Sequence, residues 1–207
     1  MNVQPVQDLP EFATWLNAAP TTLTELRGRP VVLAFVNAAS VWCAHRLAEL
    51  GQWQSRNPGK LQVLVLQVPR FDFEREPEQA LKLLRRQGVT VPALLDADWD
   101  GWRRFNVAAW PTLVLLDAQG REVDRLVGFG DELDRALNAL CQGTSSPLDA
   151  DASRQRELHP EPRLPLLFPT ALAVSTERLY IADSGHHRIL ECSHACLLYT
   201  SPSPRDS

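Results

Sequence analysis

Three stretches of this chain are apolar almost without interruption: PVVLAFV at 30–36, LQVLVLQVP at 61–69 and PTLVLLD at 111–117. A strand with one face in water alternates apolar and polar residues. These stretches do not alternate, so each must be covered on both faces, as strands are in sheets sandwiched between helices. The chain must therefore supply helices in between. The apolar spacing predicts them over 10–18 (Phe12, Trp15 and Leu16 on one face), 40–56, 76–88 and 131–140, with a helical turn or two over 99–105. Ser40 stands where the second of these needs an N-cap. Pro77 falls in the first turn of the third, and Gly88 lies just past its end. VPALLDAD at 91–98 reads as a short extended segment. The AQG turn folds REVDRLVGF (121–129) back on the third strand as a hairpin. The order is α/β: a central mixed sheet flanked by helices, within about 140 residues.

Composition narrows the function classes. Hydrophobic residues make up 44% and charged residues 22%, which are globular proportions. A formal net charge of −4 gives no basic surface for nucleic acid. There is no 18-residue apolar run, so neither a membrane span nor a membrane partner is expected. The N-terminus, MNVQPVQDLPEF, has no cationic and apolar leader, and the compartment expected from it is the cytoplasm. Cys43, Cys141, Cys192 and Cys196 form no paired metal-ligand spacing, so no metal site is expected, and no cofactor is implied. In a reducing compartment a structural disulfide is not expected either.

Beyond residue 143 the pattern changes. Residues 144–164, rich in Ser, Asp, Pro and Arg, lose all periodicity and read as a linker. In 165–195 three short β runs, LAV, LYIA and RILEC, are separated by turn signals, which is the pattern of one blade of an all-β repeat protein. One blade cannot close a ring, so by itself it is expected to be incomplete and poorly packed. Residues 196–206, CLLYTSPSPRD, match at all eleven positions the in-frame translation of a transposon-based sequencing adapter. On that reading 196–207 is not native, Cys196 has no part in the chemistry, and the coding sequence is interrupted near Ala195.

The element order of 1–143, with a loop and helix directly after VVLAFV, resembles the thioredoxin-like fold. That family usually places the first cysteine of its C-x-x-C five residues after the strand phenylalanine. Counting from Phe35 lands on Ser40, and three further on lies Cys43, so the motif here is Ser40-Val41-Trp42-Cys43. A second register aligns Trp42-Cys43 with W-C-x-x-C and puts Arg46 in the second cysteine's place, at the cost of three extra loop residues. In either register dithiol chemistry lacks its second cysteine. In the first, the attacking thiolate, which a helix N-terminus would stabilise, has become a hydroxyl, and Cys43 keeps the resolving position.

Val107-Ala108-Ala109-Trp110-Pro111-Thr112 resembles the family's V-x-x-x-P-T stretch, whose cis proline faces the C-x-x-C. The segment from Pro169 through Leu179-Tyr180-Ile181-Ala182-Asp183-Ser184-Gly185 to His187-Arg188-Ile189 resembles an NHL repeat, in which Asp183, His187 and Arg188 would tie turns to strands. Together the parts resemble thioredoxin-plus-NHL-propeller proteins, here cut within the first blade, and Ser40 is where the chain departs from their C-x-x-C.

Each residue also has a plainer reading. Ser40 is an N-cap, Cys43 a buried small hydrophobe, and Cys141 and Cys192 are structural. His45 either tunes Cys43 or faces solvent or a neighbouring loop. Trp42 and Trp110 flank the active groove as a substrate-binding surface or merely cover the loop. DFEREPE (72–78) is a solvated loop and helix start. Two functions are left open: a recognition module for protein partners built on a degenerate site, with little dithiol activity, and a monothiol redox protein or thiol-disulfide oxidoreductase acting through Cys43.

Overall fold

The computed structural model describes residues 8–11, 13–142 and 166–193, together with the backbone of 198–201. The linker expected over 144–164, and Phe12 and Cys196, lie outside the described residues. The chain divides into two compact units, Met1–Pro160 and Glu161–Ser207.

The three apolar runs become β2 (Val31–Val36), β3 (Gln62–Gln67) and β5 (Thr112–Leu116). Between and after them come α1 (Val41–Arg56), α2 (Pro77–Arg86), β4 (Ala93–Leu95), α3 (Asp100–Arg104), β6 (Glu122–Val127) and α4 (Leu133–Leu140). A short β1 (Thr14–Trp15) completes a six-stranded sheet in the order β1-β4-β3-β2-β5-β6. β2, β3 and β4 run parallel; β1, β5 and β6 are antiparallel to their neighbours.

Each central strand feeds two cores, because successive side chains point to opposite faces. Val32, Ala34, Val36, Val63, Val65, Leu113 and Leu115 pack with Leu47, Leu50 and Trp53 of α1, Ala80 and Leu84 of α2, and Leu133 and Leu137 of α4. Val31, Leu33, Phe35, Leu64, Leu66, Val114 and Leu116 face the other way, onto Phe105, Val107, Leu9 and Leu23. This two-sided burial is why the runs do not alternate.

The helix predicted over 10–18 is instead an edge strand. Thr14 pairs with Leu95 and Trp15 with Leu94. The physical reason is a period of two: Leu16 is buried in the first core while Trp15 packs on the second. Asn17 extends the pairing with its side chain, donating to the Val91 carbonyl at 2.8 Å and accepting from the Ala93 N–H at 2.7 Å.

In the second unit β7 (Pro169–Val174), β8 (Arg178–Asp183) and β9 (Arg188–Ser193) form an antiparallel sheet, to which β10 (Leu198–Ser201) adds on the β9 edge. Its buried apolar core is Ile181, Leu190 and Cys192, with Leu166 and Leu179 against it. Asp183 is buried and accepts from the Leu167 N–H at 2.6 Å and Arg188 Nε at 2.8 Å. The imidazole 2.7 Å from this carboxylate is that of His186 rather than His187. His187 instead adopts a left-handed backbone (φ 51°) that closes the turn.

Candidate functional site

Strand register gathers four loops at one end of the sheet. β2 and β3 run parallel, so 37–40 and 68–75 leave the same end. Thr112 lies opposite Phe35 and Val127 opposite Thr112, which brings 109–111 and 128–130 to that end as well. Sequence-predicted Ser40, Trp42, Cys43, Trp110 and Pro111 all belong to this end.

Ser40 occupies the N-cap position of α1 in extended conformation (φ −95°, ψ 127°), and its carbonyl accepts the first helical N–H, from Ala44, at 3.0 Å. Ser40 is thus the N-cap residue read from the sequence, but it caps through its backbone, since its hydroxyl makes no capping bond; the hydroxyl hydrogen-bonds the Cys43 thiol instead. Cys43, in the first turn of α1, is fully buried, and its sulfur accepts the Asn37 backbone N–H at 3.4 Å. Burial pushes the Cys43 thiol above its ordinary range, against the Asn37 and Ser40 hydrogen bonds, which pull it down.

The Trp110–Pro111 bond is cis. The Pro111 carbonyl accepts from the Gly128 N–H at 2.7 Å, and Thr112 Oγ1 donates to the Ala109 carbonyl at 2.7 Å. The two predicted tryptophans have different surroundings. Trp42 is 58% exposed and meets the Phe129 ring at 5.9 Å. Trp110 is partly buried in a cluster with Trp99 (5.3 Å) and Trp102 (4.9 Å). His45 stands edge-on to Phe129 at 5.7 Å.

Sequence reasoning missed the polar residues that hold this end together. Arg46 is buried on the core face of α1; its guanidinium donates to the Gly128 carbonyl at 3.0 Å, the Gly130 carbonyl at 3.3 Å and Glu49 at 3.1 Å, and lies 5.2 Å from the Phe129 ring centre. Glu74, read as part of a solvated segment, is instead fully buried in a short helical turn, Asp72–Arg75, because its carboxylate is needed inside: Asn37 Nδ2 donates to it at 2.7 Å and the Arg70 N–H at 2.6 Å. Gln67 Oε1 accepts from the Ala38 N–H at 2.8 Å. The one sequence signal for any of these was the polar Asn37 directly after a fully apolar strand. Among the described residues no group of His, Cys, Asp and Glu is arranged to hold a metal, and no helix is long and apolar enough to cross a membrane.

The family model for the NHL repeat matches residues 166–192. "NHL repeat-containing protein 2" of Homo sapiens is 31% identical over 197 residues, covering 89% of this chain and 27% of that protein. The chain thus spans about a quarter of the length of that relative. Among solved structures, a secreted Mycobacterium tuberculosis disulfide oxidoreductase homologous to E. coli DsbE superposes with a TM-score of 0.52 at 25% identity, over 62% of this chain and 94% of its own. A thiol:disulfide interchange protein of the thioredoxin family from Chlorobium tepidum superposes with a TM-score of 0.55 at 17% identity, over 68% of this chain and 98% of its own. The first unit thus has a thioredoxin-like, DsbE-like α/β fold, and an NHL repeat follows it.

Proposed function

We propose, for a chain that joins a thioredoxin-like domain to an NHL repeat, that it acts as a recognition module for protein partners, with a degenerate Ser40-x-x-Cys43 site of little dithiol activity. One observation carries this reading: the residue at the N-terminus of α1, where the fold keeps its attacking thiolate, is a serine, and the cysteine one turn later is fully buried. A hydroxyl does not replace a thiolate in disulfide exchange. Cys141 offers no second thiol here, since it lies at the other end of the sheet, against the Lys60 carbonyl. Exposed aromatics at the loop end, Trp42, Phe71, Phe73 and Phe129, supply area for protein contact. The cytoplasm, expected from the sequence, suits a protein that keeps Cys43 reduced.

The test is insulin reduction coupled to thioredoxin reductase, with the full chain. Negligible turnover is expected; strong turnover overturns the reading. A second reading, a monothiol redox protein, is favoured by the two hydrogen bonds to the Cys43 sulfur. In it the Cys43 thiolate attacks a partner disulfide, forms a mixed disulfide and expels the other sulfur as a thiolate. Incubation with oxidised glutathione separates the two: a glutathione adduct on Cys43, seen by mass spectrometry, supports the second, and an unmodified Cys43 supports the first.

A further inference from the structure

The loop that seats Cys43 hangs on a carboxylate from another element. Glu74 is fully buried, and a buried carboxylate is costly unless it is well hydrogen-bonded. One of its oxygens, Oε2, accepts from Asn37 Nδ2 at 2.7 Å, the Arg70 N–H at 2.6 Å and the Phe71 N–H at 3.3 Å, while Oε1 is buried with no partner. Asn37 spends its side chain on this region: Nδ2 also donates to the Val68 carbonyl at 3.0 Å, and Oδ1 accepts from the Ala39 N–H at 3.1 Å. With its side chain held on both sides, Asn37 directs its backbone N–H at the Cys43 sulfur, 3.4 Å away.

We infer that Glu74 is a positioning residue for the Cys43 thiol: it fixes Asn37, and Asn37 holds the hydrogen-bond donor on the sulfur. The inference goes beyond the proposed function, because it holds whether or not the thiol turns over a substrate. Other polar side chains near Cys43 have partners of their own. Ser40 gives it the second hydrogen bond, Arg46 is taken up by the Gly128 and Gly130 carbonyls, and His45 packs on Phe129. A donor on sulfur favours the thiolate, so cutting the chain should make Cys43 harder to ionise.

The experiment follows alkylation of Cys43 by iodoacetamide against pH in the full chain, with the Cys43 peptide quantified by mass spectrometry, so that insulin reduction plays no part. Glu74→Ala should move the midpoint up by roughly half to one pH unit, the scale of one weak hydrogen bond. Glu74→Gln keeps an oxygen facing Asn37 and should stay within about 0.2 unit of the unmodified chain. Asn37→Ala cuts the same link from the other side and should shift the midpoint as Glu74→Ala does, with the double variant moving no further. If Glu74→Ala fails to fold, Asn37→Ala with Glu74 retained carries the test. An unchanged midpoint in the alanine variants, even with lowered thermal stability, overturns the inference. So does an equal downward shift in Glu74→Gln and Glu74→Ala, since the carboxylate would then act by its charge.

Discussion

At the scale of single residues, Ser40, Cys43 and Arg46 lie one helical turn apart along α1 and differ in what each touches. Ser40 stands at the helix N-terminus, where free N–H groups and the dipole stabilise an anion. A cysteine introduced there would ionise readily, with Cys43 one turn away to resolve a mixed disulfide. Ser40→Cys is therefore expected to gain insulin-reducing activity that the unmodified chain lacks. Arg46→Cys, the variant that the other register would favour, should gain none; turnover confined to the Arg46 variant would overturn the register. Arg46 is also a structural anchor, because its guanidinium satisfies the Gly128 and Gly130 carbonyls inside the protein. Arg46→Met leaves both carbonyls without that donor and should cost about 2–4 kcal/mol in urea unfolding. A cost below roughly 1 kcal/mol would show that the 128–130 loop is held by other contacts.

At the scale of elements, a continuous apolar run marked β2, β3 and β5 because burial on both faces leaves polar positions only at the strand ends, such as Gln62, Gln67 and Thr112, and that constraint is written locally. β1 was hidden for the opposite reason. With two paired residues it has no measurable period, and the spacing of Phe12, Trp15 and Leu16 imitates a helix until the partner strand β4 is known. Glu74 was hidden because its meaning is not local: its partner Asn37 is 37 positions away in sequence, and an acidic run reads as solvated when only its neighbours are seen. Ser40, Cys43 and Pro111 were legible because family spacing carries them, while the buried polar network beneath them had no motif.

The NHL repeat offers an element-scale test. Burial pushes the Asp183 carboxyl up, but hydrogen bonds from Leu167, His186 and Arg188 outweigh it and leave the group below the usual carboxylate range. A carboxyl depressed in the folded state contributes stability that is present above its unfolded pKa and lost as pH falls through the depressed value. Acid should thus loosen the β8–β9 turn from about pH 4 downward. Asp183→Asn should weaken the unit at neutral pH and flatten that acid limb. Hydrogen exchange of the β8 and β9 amides against pH would measure both, and an unaltered acid limb in the variant would rule out Asp183 as its source.

At the scale of the whole molecule, the two units differ in how much they bury. The first closes two cores around one sheet, with fully buried side chains as large as Trp53, Phe35 and Leu50. The second buries Ile181, Leu190 and Cys192, while every residue of β7 is exposed, including Leu172 and Val174. Stability scales with apolar area removed from water, at roughly 25 cal/mol per Å² before entropy is subtracted. A unit with so small a core and an uncovered apolar strand falls short of what an independent fold needs. Residues 1–142 alone should therefore unfold cooperatively within a few degrees of the main transition of the full chain, whereas 161–207 alone should show no cooperative transition by circular dichroism. Limited proteolysis gives an independent reading: the Ser-, Asp- and Arg-rich composition of 143–165 favours cleavage there, after which the C-terminal piece should be digested while the N-terminal piece persists. A protease-resistant C-terminal fragment of about 40 residues, or a sharp melt of 161–207 alone, would mean that this repeat is stable without neighbours, contrary to the nearest-neighbour logic of repeat proteins.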